Sequence, residues 1–186
     1  MKTGISERLK TAVKALAGTI TPDSSIPVMG EFKGFVQRAD GTVEHLWGGE
    51  WRRNTVTVPG LNRIAACAVN TAAGVFNSII VGSATAAPAL TDSQSTIGEV
   101  SRKTFVAVGA SAQSREWIFG VATWGGSVDG VTSVTLNSAG ISIGASSLAT
   151  SILANRVNGL AVTLGNSDFL NLTTRIRVGS HDVAHT

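Results

Sequence analysis

The segment 169-FLNLTTRIRV-178 separates into two alternating sets. Leu170, Leu172, Thr174, Ile176 and Val178 fall on one side, and Phe169, Asn171, Thr173, Arg175 and Arg177 on the other. A period of two is that of a β-strand, whose successive side chains point to opposite faces of a sheet. The aliphatic set therefore predicts a strand with Leu170, Leu172, Ile176 and Val178 in a core, each contributing about 1.5 to 3 kcal/mol if fully buried. Arg175 and Arg177 then share the outer face, about 7 Å apart. Two readings of them stand open at this point. They are solvated or paired across strands with Glu99, Glu116 or Asp168, or they clamp acidic groups on a neighbouring subunit.

Working outward, the rest of the chain has the same character. The 186 residues suit a single domain, which at this size buries roughly 70% of the surface of its unfolded chain. They are 43% hydrophobic and 15% charged, against a usual charged fraction of about 25%. Much of the surface must then be neutral Ser, Thr, Asn and Gly, which suits a molecule covered by neighbours. Twenty-one Gly and no Tyr, among many Val, Thr and Ser, favour strands and turns over a helical bundle.

The stretch 31-EFKGFVQRADGTVEHLW-47 holds two extended runs around Ala39-Asp40-Gly41, a strong hairpin signal. Val56 and Val58 suggest a short strand broken by Pro59-Gly60, and 61-LNRIAACAVNTAA-73 a short helix packing through Leu61, Ile64, Ala65 and Ala68. Further strands are expected at 76-FNSIIVG-82, 104-TFVAVG-109, 115-REWIFGVATW-124, 131-VTSVTLN-137 and 159-GLAVTLG-165, and residues 140–157 read equally as strand or as a helical turn. Eight or nine strands with irregular loops predict a mainly β fold, an antiparallel β-sandwich of jelly-roll type with a short inserted helix.

At the N-terminus, Ile5, Leu9, Val13 and Leu16 recur at spacings of three and four among Glu7, Arg8, Lys10 and Lys14. This predicts an amphipathic helix over residues 5–17, ended by Gly18 and Pro22 and followed by a linker. Docking on a partner, packing on its own domain and lying on a membrane surface are its three possible uses, and the absence of bulky aromatics weighs against the last. The charges interrupting its apolar positions distinguish it from a secretory leader, so it is read as part of the working protein. The expected organisation is an arm and linker over 1–27, a sandwich over 28–179 and a flexible tail over 180–186.

Several chemistries find little support. Net charge is +3, and the fifteen cations form only small groups, Arg52-Arg53, Arg102-Lys103 and Arg175/Arg177, where a nucleic-acid site usually needs a denser stripe. No run approaches the roughly 18 apolar residues of a membrane span. Cys67 stands alone inside IAACAV, reading as a buried, reduced thiol made in a cytoplasm. Glu44, His45 and Glu50 share a hairpin, and His181 and His185 a terminal tail, but neither spacing carries a mechanism or a metal motif. No Gly-x-Ser-x-Gly elbow or phosphate-binding glycine loop occurs, so neither catalytic residues nor a cofactor nor a metal is expected. Of four Trp, Trp117 and Trp124 have opposite parity on one strand, predicting one in the core and one outside.

The order of features carries a resemblance: 40-DGTVEHLWGGEWRRNTVTVPGL-61 with its Asn-x-Val step, an Ala-rich helix, 80-IVGSATAAPALTDS-93, 139-AGIS-142, 151-SILANRV-157, and 162-VTLGNSDFLNLTTRIRVG-179. Over residues 40–179 this resembles a group of small β-rich virion proteins encoded by tailed bacteriophages; the N-terminal helix lies outside it. The resemblance implies a non-enzymatic structural protein of the virion, folded in the bacterial host cytoplasm. Its place would be capsid-associated, as a decoration or minor capsid protein, or in the neck or tail. The partners implied are further copies of itself and other virion subunits, with neither nucleic acid nor membrane expected. Candidate partner-binding residues are Ile5, Leu9, Val13 and Leu16 on the arm, with Arg52, Arg53, Arg175 and Arg177 on the domain. The alternative is a tail-fibre-associated receptor or glycan-binding module using Trp47, Trp51 or Trp124.

Overall fold

A computed structural model describes residues 28–69, 76–105, 110–111, 116–143 and 152–178. The arm with Ile5, Leu9, Val13 and Leu16 and the tail after Gly179 lie outside the described residues. The fold is mainly β with one short helix. Ten strands follow in order: β1 (Val28–Gln37), β2 (Val43–His45), β3 (Arg52–Val56), β4 (Ser78–Gly82), β5 (Glu99–Thr104), β6 (Ala110–Ser111), β7 (Glu116–Gly125), β8 (Thr135–Ile143), β9 (Ile152–Thr163) and β10 (Phe169–Val178), with helix α1 (Val58–Val69) after β3. They pair in the order β5-β4-β8-β9-β3-β1-β10-β7-β6, with β2 also on β1, as one nearly closed sheet whose strand neighbours all run antiparallel.

The closing strand occupies the middle of this order. β10 pairs with β1 along its full length, from Val28 opposite Val178 to Gln37 opposite Phe169, and with β7 on its other edge. Leu170, Leu172 and Ile176 are buried as the alternation requires. Thr174 is buried between them, and its Oγ1 donates to the Glu31 carbonyl at 3.1 Å, which satisfies the hydroxyl inside the core. These side chains join Phe32, Val36 and Trp124 from the β1–β10–β7 half and Ile79, Val81, Leu136, Ile141 and Val157 from the β4–β8–β9 half in one hydrophobic cluster. On the opposite face of β4, Ile80 packs with Ile97 and Leu153. Both faces of β4 are thus covered, which explains its unbroken apolar run.

β3 is the joint between the halves. Its first residues, Arg52 to Asn54, pair with β1, while Thr55 and Val56 pair with β9. Between β2 and β3 the chain makes a left-handed turn, with Trp47, Gly48 and Gly49 at φ of 51°, 67° and 82°, and tucks Leu46 into the core. The hairpin at Ala39-Asp40-Gly41 forms as expected: Gly41 takes φ of 87°, Arg38 N–H donates to the Thr42 carbonyl, and Asp40 accepts from Thr42 N–H.

Several boundaries move. Val58 does not extend a strand but opens α1, because Thr57 Oγ1 accepts from Gly60 N–H at 3.1 Å and caps the helix, and proline is tolerated in a first turn. Leu61, expected on the packing face, is exposed, and Ile64 carries the contact with the core. α1 lies so close to β9 that a Cβ on Gly60 would stand 2.1 Å from the Ala154 carbonyl oxygen. Residues 106–109 of the strand expected at 104–109 lie outside the described residues, and β5 ends at Thr104; the strand expected at 131–137 is displaced to Thr135–Ile143. Within 140–157, the described residues are strands of β8 and β9.

Candidate functional site

The antiparallel register sets out the outer face of the β1–β10–β7 half row by row. Val43 on β2, Gln37 on β1 and Phe169 on β10 lie in one row, with Gly125 of β7 beyond. His45, Phe35, Asn171 and Thr123 form the next, in which the Phe35 and His45 rings meet edge to face at 6.2 Å and Thr123 Oγ1 donates to Asn171 Oδ1 at 2.6 Å. Lys33, Thr173 and Val121 follow. Phe169, Val121 and Val43 are 43%, 58% and 47% exposed, so apolar groups face outward here between neutral polar ones.

The fourth row holds the charge. Glu31 on β1 lies opposite Arg53 of β3 on one side and Arg175 of β10 on the other. Its side chain is only 7% exposed, sunk beneath guanidiniums: Arg175 Nε donates to Oε2 at 2.7 Å, and Arg177 Nη1 stands 3.6 Å from the same oxygen. Arg175 also lies over the Trp51 ring at 4.0 Å, so its guanidinium is held between a carboxylate and an aromatic face. Glu31 thus meets both arginines; of the acids expected from the sequence, Glu99 and Asp168 bind Arg102 and Arg38 instead, and Glu116 of β7 lies in register with Arg177. Among the proposed partner residues, Arg53, Arg175 and Arg177 come together on this face; Arg52, next along β3, is exposed beside it and lies opposite Phe32. The pairing was invisible in sequence because Glu31 and Arg175 stand 144 positions apart.

At the far end of the same strands Arg38 joins three elements. Its guanidinium forks onto Glu44 at 2.9 and 2.6 Å and donates to Asp168 Oδ2 and the Thr163 carbonyl, each at 2.9 Å. Asp168 also accepts from the Gly165 and Ala39 N–H groups. The Gly165 N–H first, and Arg38 second, hold the Asp168 carboxyl below its ordinary range; Arg38 does the same for Glu44, and both acids push the Arg38 guanidinium up. Glu44 thus forms one arm of a fork that ties the β1–β2 hairpin to Asp168 through Arg38. Among the described residues no three His, Cys, Asp or Glu side chains gather as metal ligands. No described helix is long and apolar enough to cross a membrane.

The three tryptophans named for the glycan alternative differ in exposure. Trp124 is fully buried and unavailable for stacking on a sugar. Trp47 is half-buried and donates from Nε1 to the Gly159 carbonyl at 3.2 Å, while one face of Trp51 is taken by Arg175. The opposite-parity argument for Trp117 and Trp124 also fails in the backbone. A bulge on β7 at Gly120, φ 66°, shifts the register so that Trp124 pairs with Leu170 and Trp117 with Ile176, both inward positions of β10.

A second cluster lies inside. Arg156 on β9 is 1% exposed and donates from Nη1 to Asp92 Oδ2 at 3.0 Å and from Nη2 to the Ala86 carbonyl at 2.8 Å. The Ala89 N–H donates to the same Asp92 oxygen. One buried ion pair thus pins the long loop after β4 onto β9. Searches of protein-family models, curated proteins and solved structures find no match to this chain.

Proposed function

We propose that this chain is a non-enzymatic structural protein of a tailed-phage virion, a capsid-associated or neck component that oligomerises and binds neighbouring subunits. The observation that carries the reading is the Arg156–Asp92 pair. Two of the segments on which the resemblance to phage virion proteins rests, 80-IVGSATAAPALTDS-93 and 151-SILANRV-157, meet in that one buried contact. In this reading the ion pair fixes a long loop to the sheet, which suits a rigid building block. The outer face supports the same reading, since it sets exposed Phe169, Val121 and Val43 beside Arg and Trp, residue types enriched where proteins meet. In this proposal the nearly closed sheet is a flattened β-sandwich of jelly-roll type, with β3 passing between its two layers.

Quantitative mass spectrometry of particles purified from the producing host tests the reading. The expected result is this chain at a fixed copy number through successive density gradients, with scores to hundreds of copies for a shell component and a few for a neck component. Its complete loss from intact particles, or substrate turnover by the purified protein, refutes it.

A further inference from the structure

We propose that the outer face of β1, β10 and β7 docks a protein other than a second copy of this chain, one that presents carboxylates to Lys33 and Arg53 and apolar side chains to Val121 and Phe169. The inference deepens the assembly reading and rests on it, since it takes the chain to act through protein contacts.

Charge supplies the first argument. Lys33 and Arg53 are exposed, whereas the nearest carboxylate, Glu31, is sunk and engaged by Arg175 and Arg177. Even with Glu116, which lies in register with Arg177, counted against them, the four cations of this patch outnumber its carboxylates by two to one. Arg175 acts as a positioning residue: fixed between Glu31 and Trp51, it raises the local potential without itself reaching out.

Size supplies the second. Arg53 and Arg175 are two strand spacings apart, about 10 Å, and Lys33 and Arg177 are offset by about 13 Å along the strands. That area meets two or three carboxylates. A nucleic-acid track commonly engages about 6 to 10 phosphates, and this patch continues into exposed Val121 and Phe169 instead of into further cations.

The chain's own acids supply the third. No two Asp or Glu residues stand closer than four positions in the sequence. Of the nine described acids, Glu31, Glu44, Asp92, Glu99, Asp129 and Asp168 are in ion pairs, and Asp40, Glu50 and Glu116 stand on three separate segments. A second copy therefore offers isolated carboxylates and no acidic run, and a different polypeptide that presents carboxylates close together fits the patch better.

The test is fluorescence anisotropy of the full chain with a short labelled peptide of alternating Glu and Leu, beside the same peptide with Gln for Glu and a single-stranded DNA oligomer. The expected result is binding of the Glu/Leu peptide that weakens as salt rises and falls about tenfold in the exposed-site variant Lys33→Gln/Arg53→Gln, whose unchanged circular dichroism spectrum shows that the fold is kept. Equal binding by that variant, equal binding of the Gln peptide, tighter binding of the DNA, or no binding of the Glu/Leu peptide overturns the proposal. Incorporation of the same variant into particles separates the two readings. Peptide binding that ignores the substitutions while the chain still enters particles removes this docking face and leaves the assembly role standing.

Discussion

Replacing Arg156 by Met should be the most damaging single polar substitution in the domain. The side chain is 1% exposed and its two donors satisfy Asp92 Oδ2 at 3.0 Å and the Ala86 carbonyl at 2.8 Å. Methionine fills much of the volume but strands a 9% exposed carboxylate, to which only the Ala89 N–H still donates among these contacts. Removing one partner of a buried ion pair costs about 3 to 5 kcal/mol, because the remaining charge keeps its desolvation penalty and loses its compensation. For a chain of this length each kcal/mol corresponds to about 2 to 4 °C in Tm, so a fall of roughly 6 to 20 °C is expected by differential scanning calorimetry. The double variant Arg156→Met/Asp92→Leu removes both charges, and should recover most of the loss, since exchanging a buried pair for apolar groups is often neutral. Urea unfolding of the two single variants and the double variant closes the thermodynamic cycle. A cost below about 1 kcal/mol for Arg156→Met, or a double variant no more stable than the single, would refute the argument that the pair is sealed from water.

Three further outcomes follow from named contacts. Gly60→Ala should cost roughly 1 to 3 kcal/mol in urea unfolding while leaving helical circular dichroism intact, since its Cβ would meet the Ala154 oxygen at 2.1 Å and α1 must lift from β9. Leu172→Ala should cost about 2 to 5 kcal/mol and its neighbour Thr173→Ala no more than about 0.5 kcal/mol; similar costs for the two would undo the assigned alternation of the closing strand. Asp168 has a folded-state pKa below its unfolded one, so its contribution is present above the ordinary carboxyl value near 4 and is lost as pH falls through the lower folded value. Tm measured against pH should show wild type more stable than Asp168→Asn above about pH 4, with the gap narrowing below it; a gap that holds at low pH would count against the Arg38–Asp168 link.

How far the sequence could be read depended on whether the deciding interaction was local. The closing strand and the Asp-Gly hairpin were legible because periodicity and turn chemistry act over a few residues; the strand has the expected bounds, while the hairpin's arms run from Val28 and stop at His45. β5 was missed because Glu99, Arg102 and Lys103 break its apolar pattern, as charges do on strands at the margin of a sheet. The parity of Trp117 and Trp124 misled because one bulge at Gly120 adds a residue that no alternation rule anticipates. The Arg156–Asp92 and Arg175–Glu31 pairs depend on register between strands far apart in the chain, so neither could be found before the sheet order was known. Arg52 and Arg53 are neighbours in sequence, yet on the strand Arg53 joins the row of Glu31 and Arg175, while Arg52 lies opposite Phe32.

The economy of β3 has a mechanical consequence. The two halves of the sheet are continuous in hydrogen bonding through a five-residue strand that grips β9 by Thr55 and Val56 alone, whereas β1 grips β10 by ten residues. A load that pries the halves apart meets its weakest backbone ladder there, beside Thr57, which anchors α1 to the Ala154 carbonyl. Backbone strain that pulled the halves apart would therefore part the ladder at Thr55 and Val56 before it reached the ten paired residues of the closing strand.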